Sequence, residues 1–328
     1  MSPVFRRALR VFLLSFIIFT LLSSLSRVSP VLALVMFIIV IVLPMVYVYV
    51  VYQHGAILMM RGQLKDAADH FERVLKLPIP VNRAFLWSRL AALRHASGDT
   101  QAAIDAYTEA LKLVPGDQSI YAVRSALYIA ERDYVSALDD ADRLLQINPD
   151  SEVGYGNRAN ANIYLGNYDQ AIEDCNRGLA LKNSPVGEVL LYNNRGTAQR
   201  MKGNYTTALS DYNMALSITI PDPNKRMVHP SVHTNQGIVY VLQGQYDQAR
   251  AFFNMALKLQ PEFARAQAAM ATMDYLLGDV EKADVTWQRL IKKDATLYGD
   301  IDRALRELQF PSAMADAVRQ MLTDAQPA

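Results

Sequence analysis

Apolar and polar positions divide the chain near residue 54. Before it, residues 11–26 (VFLLSFIIFTLLSSLS) and 31–53 (VLALVMFIIVIVLPMVYVYVVYQ) carry no charge. The second run matches the roughly 20 helical residues that span about 30 Å of hydrocarbon, which predicts a transmembrane helix. With Ser24–Pro30 as a turn, the two runs predict a transmembrane hairpin. A basic head (Arg6, Arg7, Arg10) before an apolar core also describes a signal peptide, and a signal-anchor or interfacial helix fits the first run as well. Arg27 alone lies in the turn, whereas Arg61, Lys65, Arg73 and Lys76 follow the second run. This bias predicts an integral protein of a bacterial-type inner membrane with its large domain cytoplasmic.

After residue 54 the pattern becomes helical and periodic. Ala67, Ala103, Ala137, Ala171, Ala208, Ala249 and Ala283 recur every 34 to 41 residues, a period that indicates a solenoid. Twelve residues before each stands a small residue: Gly55, Ala91, Ser125, Ala159, Gly196, Gly237 or Ala271. Small residues at both places let two helix backbones approach closely. Five residues before the alanines, Gly62, Gly98, Gly166, Gly203, Gly244 and Gly278 mark turns, and Arg132 takes that place in the third unit. Tyr134, Tyr168, Tyr205 and Tyr246 precede the alanines by three, and Phe71, Tyr107, Tyr212, Phe253 and Trp287 follow them by four. The latter spacing puts small and aromatic residues on one helical face.

Segments such as LYNNRGTAQRMKGNYTTALSDYNMAL and HTNQGIVYVLQGQYDQARAFFNMALKLQP resemble the tetratricopeptide repeat (TPR) family, with its small, Gly, aromatic, Ala and aromatic landmarks in order. Pro115, Pro149 and Pro261 match the family's repeat-ending proline. The resemblance implies an all-α, right-handed TPR superhelical solenoid, here preceded by the transmembrane hairpin. The expected domains are the head, first membrane helix and turn at 1–30, the second membrane helix at 31–53, seven repeats over 48–297 and capping helices and tail at 298–328. Repeats fall at 48–83, 84–117, 118–151, 152–188, 189–229, 230–263 and 264–297, with PDPNKRMVHP as a bend before the sixth. Ile301, Leu305, Leu308 and Phe310 are placed to cover the end of the array.

In the family the first helix of each repeat lines a concave surface. That implies a ladder of Asn157, Asn194 and Asn235, whose amides both donate and accept and so suit the backbone of an extended peptide. Local hydrogen bonds between repeats are the competing reading. Arg158 and Arg195 follow the first two asparagines and either approach an acidic ligand, serve as solvating residues or bond neighbouring repeats. Tyr121, Tyr155 and Tyr192, early in successive first helices, belong either to the groove or to the core. The family's clamp for a C-terminal carboxylate is not matched, because Ala122, Ala126 and Val153 occupy places where polar groups would be needed.

Composition narrows the function further. Lys plus Arg is 33 against 32 Asp plus Glu, so the net charge of +1 offers no field for nucleic acid. Cys175, the one cysteine, reads as a small buried hydrophobe. Phosphate-loop and HExxH motifs are absent from the sequence, and His229 and His233 lack a clear third metal ligand. Neither a metal nor a cofactor nor catalysis is expected. The expected function is a membrane-tethered scaffold for protein–protein interaction and complex assembly, holding a protein or extended peptide in its groove with the lipid bilayer as second partner. The alternative is a permanent subunit of a multi-protein membrane complex, with that complex's other subunits as partners.

Overall fold

The computed structural model describes residues 43–76 and 82–324, with the isolated positions 35 and 38. The chain divides into two compact units, Met1–Ile120 and Tyr121–Ala328. In the first unit α1 (Leu43–Met60) pairs with α2 (Leu64–Lys76), and α3 (Arg83–Ala96) with α4 (Thr100–Leu113). Helix α5 (Gln118–Ala130) carries the boundary between units. It is followed by α6 (Tyr134–Ile147), α7 (Glu152–Tyr164), α8 (Tyr168–Leu181), α9 (Pro185–Met201), α10 (Tyr205–Ser217), α11 (Asp222–Leu242), α12 (Tyr246–Leu259), α13 (Ala264–Leu276) and α14 (Val280–Lys293). Three further helices complete the chain: α15 (Ala295–Tyr298), α16 (Ile301–Leu308) and α17 (Ser312–Asp324). The described residues of each unit form an all-α solenoid of stacked helix pairs.

The expected hairpin must be corrected. Among the described residues no helix is long and apolar enough to cross a membrane. The first predicted span, at 11–26, lies outside the described residues. The described part of the second span does not end at Gln53, because α1 runs on through His54 and Gly55 to Met60. There it acts as a repeat helix: Val51 is buried, its carbonyl accepts from His70 Nε2 at 3.1 Å, and Gly55 lies beneath the Phe71 ring. With the hairpin go the readings built on it: membrane-anchored membership of the family, the tether, the lipid-bilayer partner, the membrane-complex roles and the inner-membrane location.

Local chemistry sets the helix ends. Asp99, Asp133, Ser151 and Ser184 accept backbone N–H groups at the starts of α4, α6, α7 and α9. Six of the turns use glycine with φ between +70° and +88°, and Arg132 adopts φ +66° in the same place. That conformation strains a residue with a Cβ by roughly 1–2 kcal/mol. Arg132 Nε lies 3.3 Å from Glu307, a contact glycine would lack. The expected bend before the sixth repeat is helical instead: Pro221 caps α11, Pro223 sits in its first turn and Pro230 is accommodated within it.

The periodic alanines are the points of closest packing, and all of them are 0% exposed. Opposite them, a Cβ on Gly55, Gly196 or Gly237 would lie 2.3 Å from Phe71, 2.6 Å from Tyr212 or 2.4 Å from Phe253. Each ring thus fills the volume its glycine leaves. The third and fourth repeats lack the ring, placing Ala141 and Cys175 where the others have one. Their partners at the close approach are Ser125, whose hydroxyl bonds the Ala137 carbonyl at 2.8 Å, and Ala159. Burial and the Asp174 carboxylate push the Cys175 thiol far up, so it is packing rather than a nucleophile.

The C-terminal helices close this core. Leu305, Leu308 and Phe310 join Met314, Val318 and Met321 against Trp287 and Leu290 of α14. Ile301 packs on the edge of the same cluster.

Two glycines give opposite expectations. Helix propensity alone favours alanine over glycine by about 1 kcal/mol, and Gly156→Ala should realise that gain because only Leu191, at 3.9 Å, is near its Cβ position. Gly237→Ala should instead lose about 1–3 kcal/mol through overpacking against Phe253, partly restored by Phe253→Leu. Urea denaturation of the three variants checks both signs.

Candidate functional site

Helices α5, α7 and α9 are the first helices of three successive repeats in the second unit, and each carries the same three-residue device. An arginine near the helix middle forms a bidentate ion pair with an aspartate sixteen residues later, on the second helix of its own repeat. Arg124 holds Asp140 with both bonds at 2.7 Å. Arg158 holds Asp174 at 2.6–3.1 Å, and Arg195 holds Asp211 at 2.6–3.2 Å. The aspartates are buried, which makes the fixed fork of arginine a better partner than a lysine would be. Burial raises Asp140 above the ordinary carboxylate value, opposed by its bonds to Arg124.

The remaining guanidinium nitrogens reach backwards. Arg158 Nη1 bonds Asp142 of α6 at 2.7 Å, and Arg195 Nη1 bonds Asn176 of α8 at 2.7 Å. One side chain thus ties a first helix to the second helices of two adjacent repeats. Gln236 of α11 keeps only the backward bond, to Asn213 at 2.8 Å, because Phe252 stands where the aspartate would be.

The predicted tyrosines lie beside these arginines. The guanidinium carbons of Arg124, Arg158 and Arg195 sit 5.9, 5.7 and 5.2 Å from the ring centres of Tyr121, Tyr155 and Tyr192. All three rings are half-buried. The predicted asparagines are engaged between first helices. Asn157 Nδ2 donates to the Ala122 carbonyl at 2.9 Å and Asn194 Nδ2 to the Gly156 carbonyl at 3.3 Å. Both are half-buried, with Oδ1 as the acceptor not used in these bonds. Asn235 differs: it is 1% exposed and donates to Asn193 Oδ1 at 2.9 Å and Thr197 Oγ1 at 3.1 Å.

Sequence reasoning did not single out Asp140, Asp174 and Asp211. The signal was present as Arg and Asp sixteen apart at one phase of three consecutive repeats. His54 and His70, likewise not singled out in the sequence, meet with their Nδ1 atoms 3.4 Å apart. Among the described residues no group of three or more His, Cys, Asp or Glu is placed to hold a metal ion.

Asp211→Ala should cost about 3–5 kcal/mol, because Arg195 would be left largely buried without its counter-charge, while the double change Arg195→Met with Asp211→Leu should recover most of it. Chemical denaturation of the full cycle measures the difference. Glu152 supplies a pH test. It is 6% exposed with Oε1 unpartnered, and burial together with the Glu188 charge raises its pKa. The folded state therefore holds this proton more tightly than the unfolded chain, and stability falls as pH rises from 4.5 through the raised value. Glu152→Gln should be more stable than the parent at neutral pH and equal to it below the ordinary glutamate value.

Tetratricopeptide repeat models match residues 52–118, 96–152, 154–185 and 187–262, together more than half of the chain. No curated protein matches it. Among solved structures, a tetratricopeptide repeat protein from Parabacteroides merdae has a TM-score of 0.65 at 18% identity, covering 83% of this chain and 97% of that one. A chain of the APC/C hetero-tetramer Cut9-Hcn1 gives 0.56 at 17% identity, covering 82% of this chain and 48% of that one. PilW, a type IV pilus biogenesis factor, gives 0.52 at 17%, covering 66% and 96%. At these identities the structures establish the fold alone. The repeat family and its all-α architecture are those of a non-catalytic scaffold. The chain belongs to the tetratricopeptide repeat family.

Proposed function

We propose that this protein is an interaction scaffold that holds an extended peptide along the first helices α5, α7 and α9. The observation that carries this reading is the threefold recurrence of a tyrosine braced by an ion-paired arginine. Each ring is partly accessible and already immobilised, so little side-chain entropy remains to be lost on contact. Tyrosine adds a large apolar face and a hydroxyl, the combination that dominates many protein interfaces.

Asn157 and Asn194 complete the face. Their Nδ2 groups are committed to the preceding helix, which orients Oδ1 to accept a peptide N–H. Arg158 and Arg195 act as positioning residues, since their donors are taken by aspartate and asparagine side chains. Asn235, buried between α11 and α9, holds the repeats together and does not touch the peptide. The ligand is an extended protein segment recognised through its backbone and apolar side chains.

Selection of peptides from a random library on the full-length protein, followed by titration of the best binder, tests the reading. Tyr155→Ala and Tyr192→Ala should each weaken binding by about 1–2 kcal/mol with the denaturation midpoint little changed. Equal affinity for the parent and both variants would remove these helices from the binding site.

A further inference from the structure

Arg200 lies at the end of α9, one residue before Met201. It is 1% exposed, yet its Nε, Nη1 and Nη2 atoms all lack hydrogen-bond partners. A guanidinium withdrawn from water without a counter-charge is strongly disfavoured. Arg124, Arg158 and Arg195, on first helices of the same unit, each have a buried aspartate; Arg200 has no ion-pair partner among the described residues.

Its charged neighbour has the same sign. Arg265, in the first turn of α13, donates from Nε to the Leu308 carbonyl at 2.9 Å and from Nη2 to Gln309 Oε1 at 3.5 Å. Those acceptors are neutral and leave its charge uncompensated. Burial, and then repulsion by Arg200, lower Arg265 to about 10, and the hydroxyls of Tyr164 and Tyr212 oppose that shift. Tyr212 is fully buried, and its hydroxyl lies close to Thr197 and Arg200 without a well-formed hydrogen bond to either. Glu307, the carboxylate near Tyr164, is already engaged by Tyr134 at 2.8 Å and Arg132 at 3.3 Å. A cavity of about 280 Å³ lies near this group without being lined by Arg200, Arg265 or Tyr212; its walls include Tyr164, Met201, Arg306 and Gln309 together with the ion-paired Asp302 and Arg319.

We propose that Arg200 and Arg265, with the Tyr212 hydroxyl, form a buried site for one small oxyanion beneath the C-terminal helices. Two guanidinium groups and a phenol donate to the same acceptor chemistry, which a carboxylate or a phosphate supplies. The shielding of Arg200 selects a free small anion over a charged group on a protein chain, whose backbone would have to enter with it. Because Arg265 is also bonded to Leu308 and Gln309, the anion would join α9 and α13 to the end of α16. Occupancy would therefore tighten the docking of the cap, independently of the peptide-binding face.

Isothermal titration of the full-length protein in chloride-free buffer, with inorganic phosphate in one series and acetate in another, tests the site. The parent should bind one anion per chain, and the series that saturates distinguishes phosphate from carboxylate. Arg200→Leu should bind neither, and its melting temperature should not rise with an anion that raises the parent's. Should Arg200→Leu fail to fold, Arg265→Gln is the second variant, with binding weakened at least tenfold. The proposal is overturned if the parent takes up neither anion, or if the folded variants bind as tightly as the parent.

Discussion

Two helices of a repeat can approach only as closely as the side chains between them allow, and here that distance is set by an alanine on one helix and a small residue on the other. The alanines are fully buried, and three of the opposing glycines lie under rings that would collide with any Cβ. Close approach brings the first helix within reach of the second over its whole length. Only then can an arginine at the middle of one meet an aspartate on the other with bonds as short as 2.6 Å. The ion pairs are a consequence of the packing rather than a substitute for it.

The same geometry explains why the face of α5, α7 and α9 is proposed as a binding surface. The arginines there are held by carboxylates in their own repeats, and the Arg158 and Arg195 forks extend to the preceding repeat as well. What they leave outward is a row of braced tyrosines with amide groups between them. Such a face offers contact area and backbone hydrogen bonding with little net charge. Arg200 and Arg265 stand apart because no aspartate among the described residues answers them, and that difference separates a fixed structural charge from one proposed to take an anion.

Much of the fold was legible in the sequence because close packing imposes residue size at fixed spacing. Ala137 and Ser125, or Ala249 and Gly237, can be paired on paper before their contact is seen. Even Arg132 in place of a turn glycine was visible, although its bond to Glu307 was not, since that contact spans a sequence separation no repeat period encodes. The apolar run ending at Gln53 misled for a physical reason. A helix that buries one face in a repeat and a helix that meets lipid both favour Val, Leu and Tyr, and it is contacts such as Gly55 beneath Phe71 and the Val51 carbonyl on His70 that mark α1 as a repeat helix. The roles of the candidate residues were less legible still. Asn157 and Asn235 share a repeat position, yet one is half-buried and the other is enclosed against Asn193 and Thr197.

The central claim is that ion pairing within the repeats neutralises the arginines and leaves an essentially uncharged peptide-binding face. Measuring the dissociation constant of a selected peptide from about 0.05 to 0.5 M salt tests it most directly, because exposed charges are screened over that range. The account predicts a change of less than about twofold. A loss of affinity beyond about tenfold would mean that Arg158 and Arg195 engage the ligand's charge, contradicting it.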